Sequence, residues 1–253
     1  MSPPYRALSL DLHDTLVWDT REIVDGQYEV RLKLLAHGLR MAGGNQVPLG
    51  ELRKTRAALH SEWKTEGRSA ETIRLDDQVD QIRRGLRARY AGDVNDTVQQ
   101  YAAGGLREYP SRINPEAQVL VSFLNEVGFP VVVTTNTSRS GSAWKAFLEE
   151  VGGIRLTDVV ASTDVGVCKP DARIFEEVVR RARVSPSAIL HVGDSWPLDI
   201  EGALGYGMAA ALYRGLWPHY WDPDKLNEKP PPNKSSVPRL DHLSEVRALL
   251  GLA

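Results

Sequence analysis

The chain has 253 residues, 42% hydrophobic and 25% charged, with a formal net charge of −2. That length allows a substantial core plus a smaller second unit, and the near-neutral balance gives no reason to expect nucleic acid or an anionic membrane as a partner. No apolar run approaches the roughly 20 residues that span a bilayer, the first six residues do not read as a secretory signal, and the single cysteine, Cys168, excludes an internal disulfide; together these predict a cytoplasmic protein.

Residues 5–12 read as a short apolar strand with Asp11 near its C-terminal end. From residue 20 to about 108 the strand signal disappears. Leu32, Leu34, Leu35, Leu39 and Met41 form an approximate helical stripe ended by Gly43-Gly44. Leu49, Leu52, Leu59 and Trp63 suggest a second helix, Ile73 to Tyr90 a third, and Val94 to Leu106 a fourth. Such an all-helical block has the size of a small domain.

From residue 115 the pattern alternates. Pro115 to Val127 is a predicted helix with Pro at its start and Gly128 just past its end. Strands are predicted at Pro130 to Thr135, Asp158 to Ala161, Ala188 to Val192 and Met208 to Tyr213. Between them lie predicted helices at Ser140 to Val151, Asp171 to Arg183 and Pro197 to Leu204. Residues 215–238, rich in Pro, Lys and Asn, read as a long loop packed down by Trp217, Tyr220 and Trp221, and Leu240 to Leu252 reads as a closing helix. Repeated strand–helix units predict an α/β fold, a parallel sheet with helices on both faces. The helical block, residues 18–111, is then an insertion into a core made of residues 1–17 and 112–253. In open parallel sheets chemistry sits outside the carboxyl ends of the strands, so the insertion is expected to lie over them as a lid.

Four segments fall at those strand ends: Asp11-Leu-His-Asp-Thr15, Thr134-Thr-Asn136, Lys169-Pro170 and Gly193-Asp-Ser-Trp-Pro-Leu-Asp199. A carboxylate in such a place can be a nucleophile or a metal ligand. Singly, each residue also has an ordinary reading: Asp194 and Asn136 as turn residues, Asp199 on a solvated helix face, Lys169 as a loop lysine. The order and spacing of the four resemble the haloacid dehalogenase superfamily, whose members are mostly Mg²⁺-dependent phosphatases. The resemblance covers nearly the whole chain and is densest over residues 164–212. It implies a Rossmann-like core with a helical cap and an enzyme acting on a small phosphorylated metabolite through an aspartyl-phosphate on Asp11. By the same resemblance, Asp11, Asp194 and the backbone carbonyl of His13 hold Mg²⁺, with Asp199 acting through water. Thr135 and Asn136 are implied to bind phosphate oxygens, and Lys169 to place a fixed positive charge on the phosphoryl group and Asp11.

One position departs from the family pattern. Its phosphatases read Asp-x-Asp-Gly-Thr, the second Asp serving as general acid and base; here those positions hold His13 and Asp14. His13 can take the proton work, since residues two apart in extended backbone share a side and its ordinary pKa suits neutral pH. Asp14 can take it if the turn bulges. If neither does, the protein is a slow enzyme or a binding and regulatory module on the same fold, because loss of a general acid typically costs about 10²–10⁴-fold in rate. A dehalogenase-type hydrolase, which lacks the second Asp and needs no metal, is the third reading. The cap is rich in arginine, including Arg31, Arg40, Arg53, Arg68, Arg74, Arg83 and Arg84. Most are expected to pair with acids on solvated faces, with one or two left for an anionic substrate.

Overall fold

A six-stranded, wholly parallel sheet organises the larger part of the molecule in the computed structural model, which describes residues 4–42, 46–86, 95–215 and 236–252. In chain order the strands are β1 (Ala7–Leu10), β2 (Val17–Trp18), β3 (Arg112–Ile113), β4 (Val131–Thr135), β5 (Asp158–Ala161), β6 (Ile189–Gly193), β7 (Ala209–Tyr213) and β8 (Arg239–Leu240). The helices are α1 (Arg21–Met41), α2 (Leu49–Thr65), α3 (Leu75–Gly85), α4 (Asn95–Ala103), α5 (Pro115–Glu126), α6 (Gly141–Glu150), α7 (Ser162–Val165), α8 (Ala172–Ala182), α9 (Glu201–Gly205) and α10 (Val246–Leu249).

The sheet runs β5-β4-β1-β6-β7-β8, with every neighbouring pair parallel. Its side chains alternate between two cores, as a two-residue period requires. Leu8, Leu10, Val131 and Val133 pack on one face against α5 and α6 through Leu120, Trp144 and Leu148. Ala7, Val132 and Ile189 pack on the other against α8 and α9 through Ile174, Phe175 and Ala203. Helices thus cover both faces, which is why these strands are apolar throughout. The chain builds outward from β1 to β4 and β5, then crosses back to β6 on the other side. The strand order therefore reverses at β1, and the crevice at such a reversal is where an open α/β sheet receives a ligand.

Between β1 and β4 the chain forms the helical cap, whose own core joins Leu32, Leu35 and Leu39 of α1 to Leu52, Val79, Ile82 and Tyr101. It leaves and re-enters the core side by side: β2 and β3 form an antiparallel ribbon pairing Val17 with Ile113 and Trp18 with Arg112. Asn114 fastens this crossing. Its Nδ2 donates to the Thr15 carbonyl (2.9 Å) and the Tyr213 hydroxyl (3.1 Å), while its Oδ1 accepts from the Glu116 N–H (3.0 Å) and caps α5.

Several elements differ from the sequence expectation. Helix α1 starts at Arg21, a full three turns before the leucine stripe, capped by Thr20. Its early inner face is polar, with Gln27 and Arg31 buried, so no apolar signal marks it. Trp196–Ile200 forms a single π turn before the short α9, where one α-helix was expected. The predicted closing helix is a strand, β8, then a 3₁₀ turn at Leu243–Glu245 and the single-turn α10. The Glu245 carboxylate accepts from the N–H groups of Asp241 (3.0 Å) and His242 (2.8 Å), delaying the helix, and Gly251 at φ +68° ends it. The Gly43-Gly44 stop, the ends of the third and fourth predicted helices near Tyr90 and Val94, and the residues Trp217, Tyr220 and Trp221 lie outside the described residues. Among the described residues no helix is long and apolar enough to cross a membrane.

Candidate active site

Asp11 follows directly on β1, at the strand-order reversal, and its N–H donates to the Val192 carbonyl of β6 (2.8 Å). The backbone then doubles back: Leu16 and Val17 both donate to the Leu12 carbonyl, and Asp14 donates to Val17 (2.7 Å). Asp14 takes φ +59° to make this turn. That is the left-handed region, open to glycine and, among other residues, best tolerated by Asn and Asp. The turn is thus closed by the residue type most able to stand in for glycine.

Lys169 arrives from the loop after α7 and is almost fully buried. Asn136 clasps its main chain on both sides: Oδ1 accepts from the Lys169 N–H (2.7 Å) and Nδ2 donates to the Lys169 carbonyl (3.2 Å). The Lys169–Pro170 peptide bond is cis. From this fixed stem the ammonium donates to Asp11 Oδ1, to Asp199 Oδ1 (2.6 Å) and to the Thr134 carbonyl (3.2 Å). The amide of Asn136, expected to meet substrate, is committed to positioning Lys169.

Asp199 comes in on the π turn, and both oxygens of its carboxylate are engaged. Oδ2 accepts from the Ser195 N–H (3.0 Å), and Oδ1 meets both Lys169 and His191 Nε2 (3.2 Å). The buried His191 ring continues through Nδ1 to Ser9 Oγ (2.8 Å), and Ser9 continues to Thr134 Oγ1 (3.2 Å). Gly193 makes this packing possible, since a Cβ there would stand 2.3 Å from Asp199 Cγ. His191 and Ser9 escaped the sequence reading. The available signal was a polar interruption of an apolar strand, Ile189-Leu-His-Val-Gly193.

Asp11, Asp194 and Asp199 each place a carboxylate oxygen within 4.8 Å of the others. Asp11 is pushed up to about 7, first by burial, which the Lys169 charge partly offsets, and then by the neighbouring Asp199 and Asp194 charges. Burial also works against the charges on Asp199 and Lys169. Lys169 and His191 nevertheless hold Asp199 well below the carboxylate range, and Asp11 and Asp199 hold Lys169 above the lysine range. The Lys169 ammonium therefore pairs with two of the three clustered carboxylates, Asp11 and Asp199.

Thr135 is buried at the end of β4, its hydroxyl making only a 3.4 Å contact to the Asn136 carbonyl. The buried Thr15 hydroxyl has no hydrogen-bond partner among the described residues. The half-buried His13 ring stands edge-on to Trp144 at 5.3 Å between centroids and lines a cavity of about 290 Å³ between core and cap. Cys168 is held as a protonated thiol, pushed up to about 11 by burial and by the nearby Glu71, which suits packing and not nucleophilic attack.

Residues 5–207 match the family model described as haloacid dehalogenase-like hydrolase. Haloacid dehalogenase-like hydrolase domain-containing protein 3 of Mus musculus is 38% identical over 92 residues, 36% of this chain and 35% of that protein. Glyceraldehyde 3-phosphate phosphatase of Methanopyrus kandleri is 33% identical over 136 residues, 53% of this chain and 51% of that protein. The chain thus spans about a quarter to a half of the length of the curated relatives it matches. Among solved structures, 2-haloacid dehalogenase from Pseudomonas syringae aligns with a TM-score of 0.60 at 23% identity, covering 98% of each chain. A HAD phosphatase from Thermococcus onnurineus aligns at 0.57 and 17% identity, covering 97% of this chain and 98% of the other. At these identities the structures share the fold and do not choose between the two chemistries.

Proposed function

Because the chain belongs to the haloacid dehalogenase-like hydrolase family, we propose that it is a cytoplasmic, Mg²⁺-dependent phosphatase that hydrolyses a small phosphate monoester through an aspartyl-phosphate on Asp11. The observation that carries this reading is the convergence of the Asp11, Asp194 and Asp199 carboxylates, two of them paired with Lys169. Mg²⁺ takes hard oxygen donors, uses few carboxylates and keeps several waters, and three clustered carboxylates fit that ion. Asp11, Asp194 and the His13 carbonyl would hold it, with Asp199 supporting through water; when bound it neutralises phosphate charge and polarises a phosphoryl oxygen.

The chain's own residues do the rest. The Asp11 carboxylate attacks phosphorus, and the bond from phosphorus to the leaving oxygen breaks. Lys169, fixed by Asn136 and Asp199, opposes the negative charge on the phosphoryl group and on Asp11. Thr135 offers a hydroxyl to a phosphoryl oxygen. His13 gives its proton to the leaving oxygen and then takes one from the water that attacks the aspartyl-phosphate, releasing phosphate and restoring Asp11. The position of its ring at the edge of the cavity, where a leaving group would lie, supports this assignment. A cavity of about 290 Å³ is at the small end of ligand pockets, which favours a leaving group of a few carbons.

A panel of small phosphate esters assayed with Mg²⁺ and with chelator tests the reading. Metal-dependent release of phosphate, abolished in Asp11→Asn, is the expected result. No metal-dependent turnover of any ester by the folded protein would exclude it. Phosphate or Mg²⁺ binding without turnover would favour a binding module, the reading that the missing second Asp leaves open. Halide release from 2-chloropropionate that persists in chelator would favour dehalogenation, but the three clustered carboxylates speak for phosphate chemistry.

A further inference from the structure

Several cap arginines are neutralised at the surface: Arg21 by Asp25, Arg53 by Glu29, Arg68 by Glu66 and Arg74 by Asp76. Three guanidiniums around the cavity between cap and core are not. Arg31 of α1 is buried and donates to neutral acceptors, the Tyr101 carbonyl (3.0 Å), the Ser138 hydroxyl (3.1 Å) and the Ser138 carbonyl (2.9 Å). Arg139, also buried, donates to the carbonyls of Ala102 (2.8 Å) and Gly104 (2.7 Å) and to Gln27 Oε1 (2.9 Å). Arg56 of α2 lies over the Tyr28 ring, 4.7 Å from its centroid, and makes no ion pair among the described residues.

Buried guanidiniums without a carboxylate are costly, and each further like charge adds to the cost. Two members show this strain: burial lowers the pKa of Arg31 and Arg139, Arg56 lowers Arg31 further, and Arg31 lowers Arg139 further, whereas for Arg56 the Tyr101 and Tyr28 phenols outweigh burial and raise it. The acids lining the cavity are Asp19 and Glu71. Glu71 is held up by burial and bonded to the Cys168 thiol, which leaves Asp19 as the main counter-charge. Arg31 and Arg139 have most donors committed to tying cap to core, whereas Arg56 meets only the phenols of Tyr28 and Tyr101 and pairs with no carboxylate among the described residues. His13 and Asn136 line the same cavity, and Asn136 holds the stem of Lys169, so the cavity adjoins the phosphoryl-transfer end of the site.

We propose that this cavity binds a second anionic group, a carboxylate or phosphate, on the leaving-group end of the substrate, and that Arg56 is the residue that reads it. The inference rests on the phosphatase reading for the orientation of that substrate. Its ligand is a short-chain phosphate ester carrying a second anionic group. A planar guanidinium in a partly buried, positively charged recess is suited to a paired, charge-assisted contact with either group.

The test is calorimetric binding, in Mg²⁺, to Asp11→Asn protein, so that no probe is consumed. The probes are glycerol 3-phosphate, 3-phosphoglycerate and glycerol 1,3-bisphosphate. The first two differ chiefly in replacing a hydroxymethyl group by a carboxylate. One or both of the probes with two anionic groups should bind at least about tenfold tighter than glycerol 3-phosphate, and which of them does so separates carboxylate from phosphate. Adding Arg56→Gln should remove most of that preference, and Arg56→Lys should restore part of it. Equal affinity for all three probes, or an equal loss for all three in Arg56→Gln, would overturn the proposal. Wild-type turnover is measured alongside. If no ester is hydrolysed, the phosphatase reading fails, while the binding preference still decides the subsite.

Discussion

Asp14 is the residue at which this chain's departure from its family becomes physical. It occupies φ +59° where the family has glycine. Left-handed backbone costs an ordinary residue about 1–2 kcal/mol and Asp less. Asp14→Ala should therefore destabilise the fold by about 1 kcal/mol and Asp14→Gly should not, as read from denaturant midpoints. On the proposed mechanism the proton work falls to the neighbouring His13. His13→Ala should slow turnover by about 10²-fold or more, with Asp14→Gly having far less effect; the reverse order would move the general acid to Asp14. Gly193 is a second sensitive point. The Cβ of Gly193→Ala would displace Asp199, and a misplacement near 1 Å can lower kcat about 10²-fold, an effect to be measured beside an intact circular dichroism spectrum. At this scale the sequence was informative where motifs brought charged side chains together, at Asp11, Lys169, Asp194 and Asp199. It was silent on His191 and Ser9, because a histidine within a buried strand reads as a packing residue until its partners are seen. Arg56 was likewise invisible among many cap arginines, since only the three-dimensional arrangement tells a paired guanidinium from an unpaired one.

Elements were most legible where one period dominates. The parallel strands stood out as apolar runs, and α5, α6 and α8 as amphipathic segments with their caps. Legibility failed where polar groups turn inward, as on the first turns of α1, and where the hydrogen-bonding step changes, as in the π turn that carries Asp199. Such turns are rare in general and concentrate at functional sites. Helix α2 offers a test of its own. His60, half-buried, is pushed down to about 4 from an ordinary 6.5 by burial and by Arg56 and Arg31. The unfolded chain then takes up a proton between pH 6.5 and 4 that the folded chain refuses. The stability associated with neutral His60 is complete above the upper value, falls as pH falls through the window, and levels off below the lower one. Thermal melts at pH 7 and pH 5 should show a smaller pH-dependent drop in His60→Gln than in the wild type; equal drops would argue that burial and the two arginines do not hold this ring neutral.

For the whole molecule, the attachment of cap to core depends on a few buried polar contacts in addition to the ribbon. Arg139 reaches from the core loop after β4 to two cap carbonyls and to Gln27, whose Nε2 in turn donates to the Tyr109 carbonyl (2.9 Å). Replacing it with methionine strands those acceptors, and hydrogen bonds to a charged group contribute about 1.5–3 kcal/mol each. Arg139→Met should therefore speed limited proteolysis and hydrogen exchange in α4 and the residues joining it to β3, while the exchange of β1, β4 and β6 changes little. Uniform acceleration across the chain would mean instead that cap and core open together. The two-part organisation was readable because a stretch without strand signal interrupts an alternating pattern. The way the parts grip one another was not, because the contacts join residues more than thirty positions apart through main-chain carbonyls, which carry no side-chain signature.

The pairing of Val17 with Ile113 has a consequence for how such a protein can change over time. Opposed residues in antiparallel strands lie about 5 Å apart, so the two ends of the intervening segment leave the core through a single narrow doorway. Whatever is spliced in at that doorway leaves the register of the six-stranded sheet untouched. Recombination or insertion there can exchange one recognition module for another in a single event, while the residues of the reaction are inherited unchanged. A lineage built this way can diversify in what it accepts long before it diversifies in what it does.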